Sequence, residues 1–306
     1  MPRTSSRLPR EYAQGRLIAL LSGVTTALVL LASPGCTPAQ DAATPISAMT
    51  FNIRWDNPND GQDAWPHRAA WVADVIGASG ASVVGLQEAL RHQIDTLASR
   101  LPSYAWIGVG RDDGMDKGEF APLFYRTDEL ELLDWSTVWL SETPADTGSV
   151  GWDAALPRVA TLARFRRHDS STLSVVNVHF DHVGRIARRE SAALLASLLA
   201  SGPGDATSPE ILMGDFNIVD TTAAYAVLYA SGLTDAFRAA GSPAPIPTFT
   251  GFDSQGTPGG RIDYVFVRNA AVGTYRALDE RRNGRFVSDH RPVIVTLDDA
   301  SQPETE

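Results

Sequence analysis

The sequence predicts a mixed α/β protein in which two sheets containing antiparallel pairs pack face to face, with helices outside. Short runs rich in β-branched and other apolar residues recur along the chain, and segments with helical spacing interrupt them. Most intervals between predicted strands are short, which argues against a strict repeat of strand, helix and parallel strand. A hydrophobic content of 43% is sufficient for a substantial core.

The predicted elements follow one another from the N-terminal side. The first strand carries Asn52 at its end, and Pro66 suits the first turn of the helix that follows. A short apolar strand then leads to Glu88, and a later strand carries His179. The predicted strands are residues 46–53, 82–87, 121–125, 130–139, 161–165, 173–180, 210–213, 262–267 and 292–297, and the predicted helices are 66–79 and 185–200. We expect the strands at 121–125 and 130–139 to be neighbours.

The two ends of the chain differ from its middle. Residues 1–36 are predicted to be an export segment, because basic residues precede an apolar stretch that is short for a membrane span. Cys36, the only cysteine, follows small residues and stands where a bacterial lipoprotein carries its lipid. A plain secretory signal or an uncleaved anchor would explain the same segment. Residues 37–45 are predicted to be a tether and 298–306 an acidic tail, which leaves 46–297 as the folded domain.

The charge of the chain limits its partners. The formal net charge is −10 at pH 7, and Lys117 is the only lysine. Such a surface repels long polyanions unless a local basic groove offsets it, which argues against tight binding of duplex nucleic acid. A small phosphate ester remains compatible with it. We expect a monomer in the cell envelope, either anchored to the outer membrane by lipid on Cys36 or released as a periplasmic or secreted protein.

Polar side chains stand at the ends of six apolar segments. The apolar run before Asp215 stops at this carboxylate, and the carboxamide of Asn217 follows two residues later. An aspartate and an asparagine in this place can orient and deprotonate a water molecule. The other segment ends carry Asn52, Glu88, His179, Asp263 and the pair Asp289–His290. Six such ends in one chain are difficult to explain as ordinary surface polarity.

Some of these residues are suited to a metal ion. Glu88 and Asp289 offer the oxygen ligands that hard divalent cations prefer. Asn52 can complete the shell through its side-chain oxygen or through a bridging water. We therefore expect Mg²⁺, with Mn²⁺ as a substitute.

The remaining residues are suited to proton transfer. Asp263 and His290 can form a carboxylate–imidazole pair that keeps the imidazole charged and oriented. His179 offers a second imidazole for a developing oxyanion or a leaving group. A metal ion, an oriented water and cationic donors together supply what phosphoester hydrolysis requires.

Six motifs carry a resemblance to a known superfamily. They are Met49-Thr-Phe-Asn-Ile53, Val84-Gly-Leu-Gln-Glu88, Asn177-Val-His-Phe-Asp181, Met213-Gly-Asp-Phe-Asn217, Arg261-Ile-Asp-Tyr264 and Ser288-Asp-His-Arg-Pro292. In this order they resemble the endonuclease/exonuclease/phosphatase superfamily, which includes DNase I-like nucleases and inositol polyphosphate 5-phosphatases. The resemblance implies a DNase I-like, four-layered α/β sandwich with two mainly antiparallel sheets and the site at one edge.

The resemblance also implies a role for each strand-end residue. It assigns the Mg²⁺ region to Asn52, Glu88 and Asp289, the base to Asp215 with its partner Asn217, and the support of His290 to Asp263. His179 matches the histidine of the nuclease and phosphatase branches. Abasic-site endonucleases have a tyrosine there, which argues against that branch.

Further motifs resemble a group of bacterial secreted metal-dependent hydrolases within the superfamily, among them Trp65-Pro-His-Arg68, Gly118-Glu-Phe120 and Asp181-His-Val-Gly184. The candidate pocket residues are Arg111, Glu119, Arg158 and Asn177. Either arginine could hold a phosphate oxygen bidentately.

We therefore expect an exported Mg²⁺-dependent phosphoesterase. It would hydrolyse a phosphodiester or phosphomonoester of a sugar, nucleotide or lipid headgroup by direct attack of an activated water. Two alternatives stay open: an extracellular nuclease acting on DNA or RNA, and a non-catalytic binding module on the cell surface. A basic groove beside the site would favour the nuclease, whereas an acidic-rimmed pocket lined by tryptophan and arginine would favour the small ester.

Overall fold

Two sheets of six strands each form the centre of the protein. The computed structural model describes residues 45–201, 207–242, 244–253 and 259–298. The predicted export segment with Cys36, nearly all of the tether and nearly all of the acidic tail lie outside these ranges. Within the described ranges, no helix combines the length and the apolar character that crossing a membrane requires.

The strands and helices of the described residues have the following bounds. The strands are β1 (Ile46–Asn52), β2 (Val83–Gln87), β3 (Tyr104–Ile107), β4 (Leu123–Arg126), β5 (Leu130–Trp139), β6 (Val159–Arg167), β7 (Thr172–His179), β8 (Glu210–Asp215), β9 (Thr234–Asp235), β10 (Asp263–Arg268), β11 (Ala271–Ala277), β12 (Arg281–Arg282), β13 (Arg285–Phe286) and β14 (Val293–Asp298). The α-helices are α1 (Trp65–Ser79), α2 (Arg91–Arg100), α3 (Arg185–Ser201), α4 (Ala223–Ala230) and α5 (Ala236–Ala239), and a 3-10 helix covers Pro58–Asp63.

Each large sheet has one parallel pair near its middle. The first sheet has the order β11-β14-β1-β2-β4-β3, and the second has the order β5-β6-β7-β8-β10-β9. The pairs β1–β2 and β7–β8 are parallel. The other pairings described in these two sheets are antiparallel. The predicted architecture of two mainly antiparallel sheets with helices is therefore confirmed.

The apolar clusters place the two sheets as the inner layers of four. Ala48 and Val83 of the first sheet pack against Val175 and Met213 of the second. Met49, the next residue along β1, instead joins a cluster with α1 and α2. The helices α3 and α4 cover the outer face of the second sheet in the same way. The central strands of each sheet are thus buried on both faces, because successive side chains point to opposite sides of a strand.

One predicted neighbour relation is wrong. We expected the strands at 121–125 and 130–139 to pair, but β4 lies in the first sheet and β5 in the second. The reason is that β4 already pairs with β2 on one side and with β3 on the other. No edge of β4 is left for β5, so the short turn between them passes from one sheet to the other.

The strand directions bring the predicted site residues to one edge. The parallel strands β1 and β2 end together in the first sheet, and β7 and β8 end together in the second. Asn52 at the end of β1 hydrogen-bonds Asp215 at the end of β8, so the two sets of strand ends meet at one edge. β10 runs antiparallel to β8, and β14 runs antiparallel to β1, so both begin there. The residues that end the first four strands therefore meet those that begin the last two.

Candidate active site

Residues from both sheets line a pocket of about 460 Å³ at this edge. The lining residues that the sequence singled out are Glu88, Glu119, Arg158, His179, Asp215, Asn217, Asp289 and His290. Further lining residues are Arg54, Trp55, Leu156, His182, Phe249 and Ile262. The wall is therefore mixed, with carboxylates, imidazoles and arginines on some sides and apolar groups on others.

His179, Asp215 and Asp263 form a row across three adjacent strands. His179 is in register with Asp215 in the parallel pair β7–β8, and Asp215 is in register with Asp263 in the antiparallel pair β8–β10. Residues in register project from the same face of a sheet. All three side chains are buried. Because the strands pair in this register, the backbone fixes the spacing between the three residues.

Asp263 and Asp215 determine the charge of His290. His290 Nδ1 lies 2.9 Å and 3.2 Å from the two carboxylate oxygens of Asp263, and its Nε2 lies 3.8 Å from Asp215 Oδ2. Burial opposes the charged form of the imidazole, but the two carboxylates outweigh burial and raise the pKa of His290 well above its usual value. His290 is therefore an imidazolium at neutral pH, with Nε2 directed towards Asp215.

Asp215 has the properties of a general base. Burial, together with the negative charge of Asp263, raises the pKa of Asp215 to about 7. Its Oδ1 accepts the backbone N–H of Asn217 at 2.9 Å. The side-chain amide of Asn217 donates to the carbonyl of Phe180 at 3.0 Å, which fixes the turn after β8. A carboxylate with a pKa near neutrality can both take a proton and release it at physiological pH.

Glu88 and Asp289 form a pair of carboxylates on the other side of the pocket. Burial and the nearby charge of Glu88 raise the pKa of Asp289, although His290 opposes this rise. The guanidinium of Arg54 lies 3.8 Å from Glu88 and 3.9 Å from Asp289, and it is held by a two-point hydrogen bond to Asp60. A buried carboxylate, Asp289, and a half-buried one, Glu88, that repel each other and face a pocket are a suitable donor set for a hard divalent cation.

Asn52 holds carboxylates of both sheets. Its amide nitrogen donates to Glu88 Oε1 and to Asp215 Oδ2, each at 3.1 Å. Its oxygen accepts the backbone N–H of Arg54 at 3.0 Å. A carboxamide oxygen has a second lone pair, so a metal contact through this oxygen or through a bridging water stays a prediction. In the structure, Asn52 fixes the spacing between Glu88 and Asp215.

A second group of potential ligands lies in the row itself. Single ligand atoms of Asp215, Asp263 and His290 all lie within 4.8 Å of one another. A metal ligand must be deprotonated, whereas the carboxylates keep His290 protonated. Both oxygens of Asp263 are within hydrogen-bonding distance of His290. We therefore interpret this group as a proton-transfer network and Glu88 with Asp289 as the metal side.

His179 is in the opposite state to His290. Its Nε2 lies 3.6 Å from Asp215 and its Nδ1 lies 3.7 Å from Glu119. Burial, followed by the positive charges of Arg158 and Arg111, lowers the pKa of His179 well below its usual value. A neutral imidazole therefore stands beside the base, where it can donate or accept a hydrogen bond.

Two of the predicted substrate-binding residues lie elsewhere. Asn177 is fully buried between the sheets. Its amide donates to the carbonyls of Leu86 and Pro122 at 2.8 Å and 2.9 Å, and its oxygen accepts from Gln87 at 2.6 Å. Because all of these partners belong to the other half of the sandwich, Asn177 joins the sheets and does not reach the pocket.

Arg111 is also turned away from the main pocket. It is 8% exposed, and its NH1 donates to Glu119 Oε2 at 2.7 Å. It therefore acts on the pocket through Glu119, whereas Arg158 lines the pocket directly.

Several lining residues were not predicted to lie in the site. Arg54 follows the motif at the end of β1, so proximity to Asn52 could have indicated it. Phe249 had no such signal. Its ring meets that of His290 edge-on at 5.1 Å, and the contact depends on an isolated bridge between these two residues.

Comparisons with known proteins agree with this geometry. The chain matches the Endonuclease/Exonuclease/phosphatase family over residues 49–290. It is similar to an endonuclease/exonuclease/phosphatase from Bacteroides vulgatus, with 37% identity, a TM-score of 0.78, and coverage of 84% of this chain and 100% of that one. It is also similar to a mannosyl-6-phosphatase from Bacteroides thetaiotaomicron, with 36% identity, a TM-score of 0.76, and coverage of 82% and 99%.

A more distant likeness concerns the fold alone. TDP2 from D. rerio, in complex with a single-stranded DNA product, has 18% identity, a TM-score of 0.65, and coverage of 83% of this chain and 99% of that one. Comparison with curated proteins gave no match. The match over residues 49–290, together with the pocket of carboxylates and imidazoles, leads to one conclusion: the chain belongs to the Endonuclease/Exonuclease/phosphatase family and is a metal-dependent hydrolase of phosphoric ester bonds.

Proposed function

We propose that the protein is an exported, Mg²⁺-dependent phosphoesterase that acts on a small phosphate ester of a sugar, nucleotide or lipid headgroup. The observation that carries the proposal is the placement of Asp215. It is a buried carboxylate with a pKa of about 7, between a charged and a neutral imidazole and joined through Asn52 to the Glu88 carboxylate. This arrangement suits direct attack of water on phosphorus.

Each side chain has a defined part in this reaction. Bound at Glu88 and Asp289, Mg²⁺ would neutralise the phosphate and polarise the P–O bond. Asp215 takes a proton from the attacking water, while the imidazolium of His290 donates from Nε2 to a phosphate oxygen. Asp263 keeps His290 charged through the transition state.

His179 completes the hydrogen bonding around the phosphate. Because it is neutral, its ring can donate one N–H to a phosphate or leaving-group oxygen without adding charge. Mn²⁺ is the expected substitute for Mg²⁺, since it accepts the same oxygen ligands.

The composition of the pocket supports a small ester over a nucleic acid. Its wall carries four carboxylates and two arginines. A nuclease requires an excess of positive charge along the path of the polyanion, and here two arginines and the imidazolium of His290 face four carboxylates, so this wall offers none. A sugar-phosphate substrate is also supported by the likeness to the mannosyl-6-phosphatase. The non-catalytic alternative is disfavoured, because the carboxylates and imidazoles that the reaction requires are all in place.

A substrate panel tests the proposal. Purified protein would be assayed with sugar phosphates, nucleotides, phospholipids, p-nitrophenyl phosphate and single-stranded DNA, in Mg²⁺ and in EDTA. We expect Mg²⁺-dependent release of phosphate or alcohol from small esters, and loss of about 10³-fold in kcat for Asp215→Ala. Asp134→Ala, at an exposed carboxylate of β5, is the matched control. Absence of metal-dependent turnover on every substrate would refute the proposal, and preference for DNA would favour the nuclease.

We also propose that the protein is exported as a lipoprotein monomer. The support is the basic and apolar N-terminal segment that ends at the single cysteine, Cys36. Cys36→Ser is expected to move the protein from the membrane fraction to the soluble envelope fraction. An unchanged distribution of the variant would contradict lipidation, and light scattering of the soluble form would test the monomer.

A further inference from the structure

Arg68, near the start of α1, is one of the largest side chains that the fold buries completely. Its guanidinium lies between two aromatic rings, 5.8 Å from the centroid of Trp65 and 5.2 Å from that of Phe252. Charged side chains are rarely buried to this degree. The hydrogen bonds described for Arg68 all go to main-chain carbonyls, which indicates that it holds backbone segments in place.

These hydrogen bonds join segments that are far apart in the chain. The NH1 of Arg68 donates to the carbonyl of Ile53 at 3.0 Å and to that of Val287 at 2.8 Å. Its Nε donates to the carbonyl of Asp63. Ile53 directly follows β1, and Val287 lies two residues before Asp289. One nitrogen atom therefore links the turn after β1 to the segment that carries a candidate metal ligand.

The bond to Ile53 holds a strained turn. Arg54 has a φ of +60°, which costs a residue with a Cβ about 1 kcal/mol or more. The peptide between Ile53 and Arg54 is bonded on both sides, since Arg68 donates to its carbonyl and Asn52 Oδ1 accepts its N–H at 3.0 Å. Strained backbone persists only where the surroundings fix it, and here two side chains do so. The guanidinium of Arg54 is thereby kept beside the carboxylate pair.

The bond to Val287 holds the backbone before Asp289. The next residue, Ser288, adds a second link, because its Oγ donates to the carbonyl of Asn52 at 2.7 Å. The same Oγ lies 3.3 Å from Asp289 Oδ1. Two successive residues are thus tied to the end of β1, and Arg68 supplies the link that is made by a side chain from outside both segments.

The burial of this charge is unfavourable for the fold by itself. Burial lowers the pKa of Arg68 to about 10, and the charge of Asp289 is the largest of the nearby charges that oppose this shift. The NH2 of Arg68 is also buried without a hydrogen-bond partner among the described residues. An apolar side chain of similar volume would avoid both costs. Such a side chain would lack only the link between the two carbonyls.

We propose that Arg68 is the positioning residue of the metal side, which sets the distance between the turn after β1 and Asp289 and thereby the affinity of the site for a divalent cation. The inference rests on the proposed metal site at Glu88 and Asp289. Because Arg68 is fully buried, it touches neither the cation nor the ester and acts through the residues that it holds.

Binding of Mn²⁺ to the metal-free protein tests this role without turnover. The EPR signal of free Mn²⁺ gives the Kd and the number of ions bound per chain. Arg68→Met keeps most of the volume and loses every donor, so we expect Kd to rise by about 10–10²-fold, as when other groups that orient metal ligands are removed. Arg68→Lys keeps the charge but not the planar fork, and its Kd should rise less, by about threefold.

Two control variants accompany this measurement. β6 runs antiparallel to β7, so its last residue, the buried Arg167, lies at the end away from the pocket. Arg167→Met removes a buried arginine there and should keep the Kd of wild type. Glu88→Gln removes a candidate ligand and should weaken binding, whereas Glu131→Gln, at an exposed carboxylate of β5, should not.

Kinetics provide a second measurement. Since Arg68 acts on metal affinity, excess Mg²⁺ should return kcat of Arg68→Met on p-nitrophenyl phosphate to within about threefold of wild type. The Mg²⁺ concentration that gives half of the maximal rate should rise in proportion to Kd. A variant that is merely partly unfolded would instead bind fewer ions per chain with an unchanged Kd, and excess Mg²⁺ would not restore its kcat.

The outcomes separate this inference from the proposed function. A wild-type Kd in folded Arg68→Met, with binding weakened in Glu88→Gln, overturns the role of Arg68 alone. Fewer bound ions with an unchanged Kd also overturn it, because Arg68 would then support only the fold. If Arg68→Met does not fold, Arg68→Lys decides, and a wild-type Kd in that variant overturns the role. A wild type that binds no Mn²⁺ refutes the proposed metal site and with it the proposed function.

Discussion

The two histidines of the pocket have opposite charge states although both are buried. Burial, together with the positive charges of Arg158 and Arg111, lowers the pKa of His179, whereas the carboxylates of Asp263 and Asp215 outweigh burial and raise the pKa of His290. Asp215 lies within 4 Å of both rings, and its pKa of about 7 lies between the lowered pKa of His179 and the raised pKa of His290. Groups whose pKa values are driven apart in this way can divide acid and base roles within one site.

Asp263 is a positioning residue, and its removal should affect turnover more than binding. Asp263→Asn removes the charge that keeps His290 protonated, so we expect kcat to fall by about 10²–10³-fold with little change in KM. The measurement is steady-state kinetics on the best ester, with Asp279→Asn at an exposed carboxylate as control. A kcat within twofold of wild type would reject this role.

Asn177 supports the fold and not the site. Asn177→Leu leaves buried donors and acceptors of Gln87, Leu86 and Pro122 with fewer partners, which should lower the free energy of unfolding by about 3 kcal/mol. Urea denaturation measures this loss. We expect kcat/KM of the folded variant to stay within about threefold of wild type. A selective loss of activity without destabilisation would restore the original substrate-binding prediction.

At the level of elements, the sequence predicted the strands that are buried on both faces. β8 is an example, since its apolar run ends at the site. The helix α2 and the strand β11 were not predicted. Only three residues of α2 are buried, namely Gln93, Ile94 and Leu97, and the rest of the helix is mostly polar. β11 is an edge strand with no fully buried residue. Periodicity is weak in such elements because little of their surface is buried.

The position of Asp215 at the end of β8 depends on the close approach of β7 to Gly214. Its φ is +153°, and a Cβ there would lie 2.1 Å from the carbonyl oxygen of Val178 on β7. Gly214→Ala should therefore separate the parallel pair and destabilise the protein by about 3 kcal/mol or more. Gly232→Ala, with φ of +88° and open space around it, is the control and should cost about 1 kcal/mol. Equal losses in urea denaturation would disprove the close-approach argument.

At the scale of the whole molecule, the two sheets contribute different parts of the reaction. In the proposed reaction, the first sheet carries the candidate metal ligands Glu88 and Asp289, and the second carries Asp215 and Asp263, the candidates for proton transfer. His290 precedes β14 of the first sheet but binds Asp263 of the second. The site is therefore complete only when the sheets are packed together.

This division predicts that metal binding stabilises the fold. Mg²⁺ at about 100 times its Kd adds about 2.7 kcal/mol, which should raise Tm by about 5–10 °C over the value in EDTA. Glu88→Gln should lose most of this increase, whereas Glu131→Gln should keep it. Differential scanning fluorimetry measures the shift. The same Mg²⁺-dependent increase in Glu88→Gln and wild type would place the metal elsewhere.

The sequence by itself determined the fold class, the family, and which strand ends carry polar chemistry. These follow from local patterns, because apolar periodicity identifies a buried strand and a polar residue at its end remains visible in the chain. Only the tertiary structure decided that Asn177 joins the sheets, that Asn52 links carboxylates, and that Phe249 borders His290. Those assignments depend on the register and direction of strands far apart in the chain, and a side chain's partners are set by that packing and not by its neighbours in sequence.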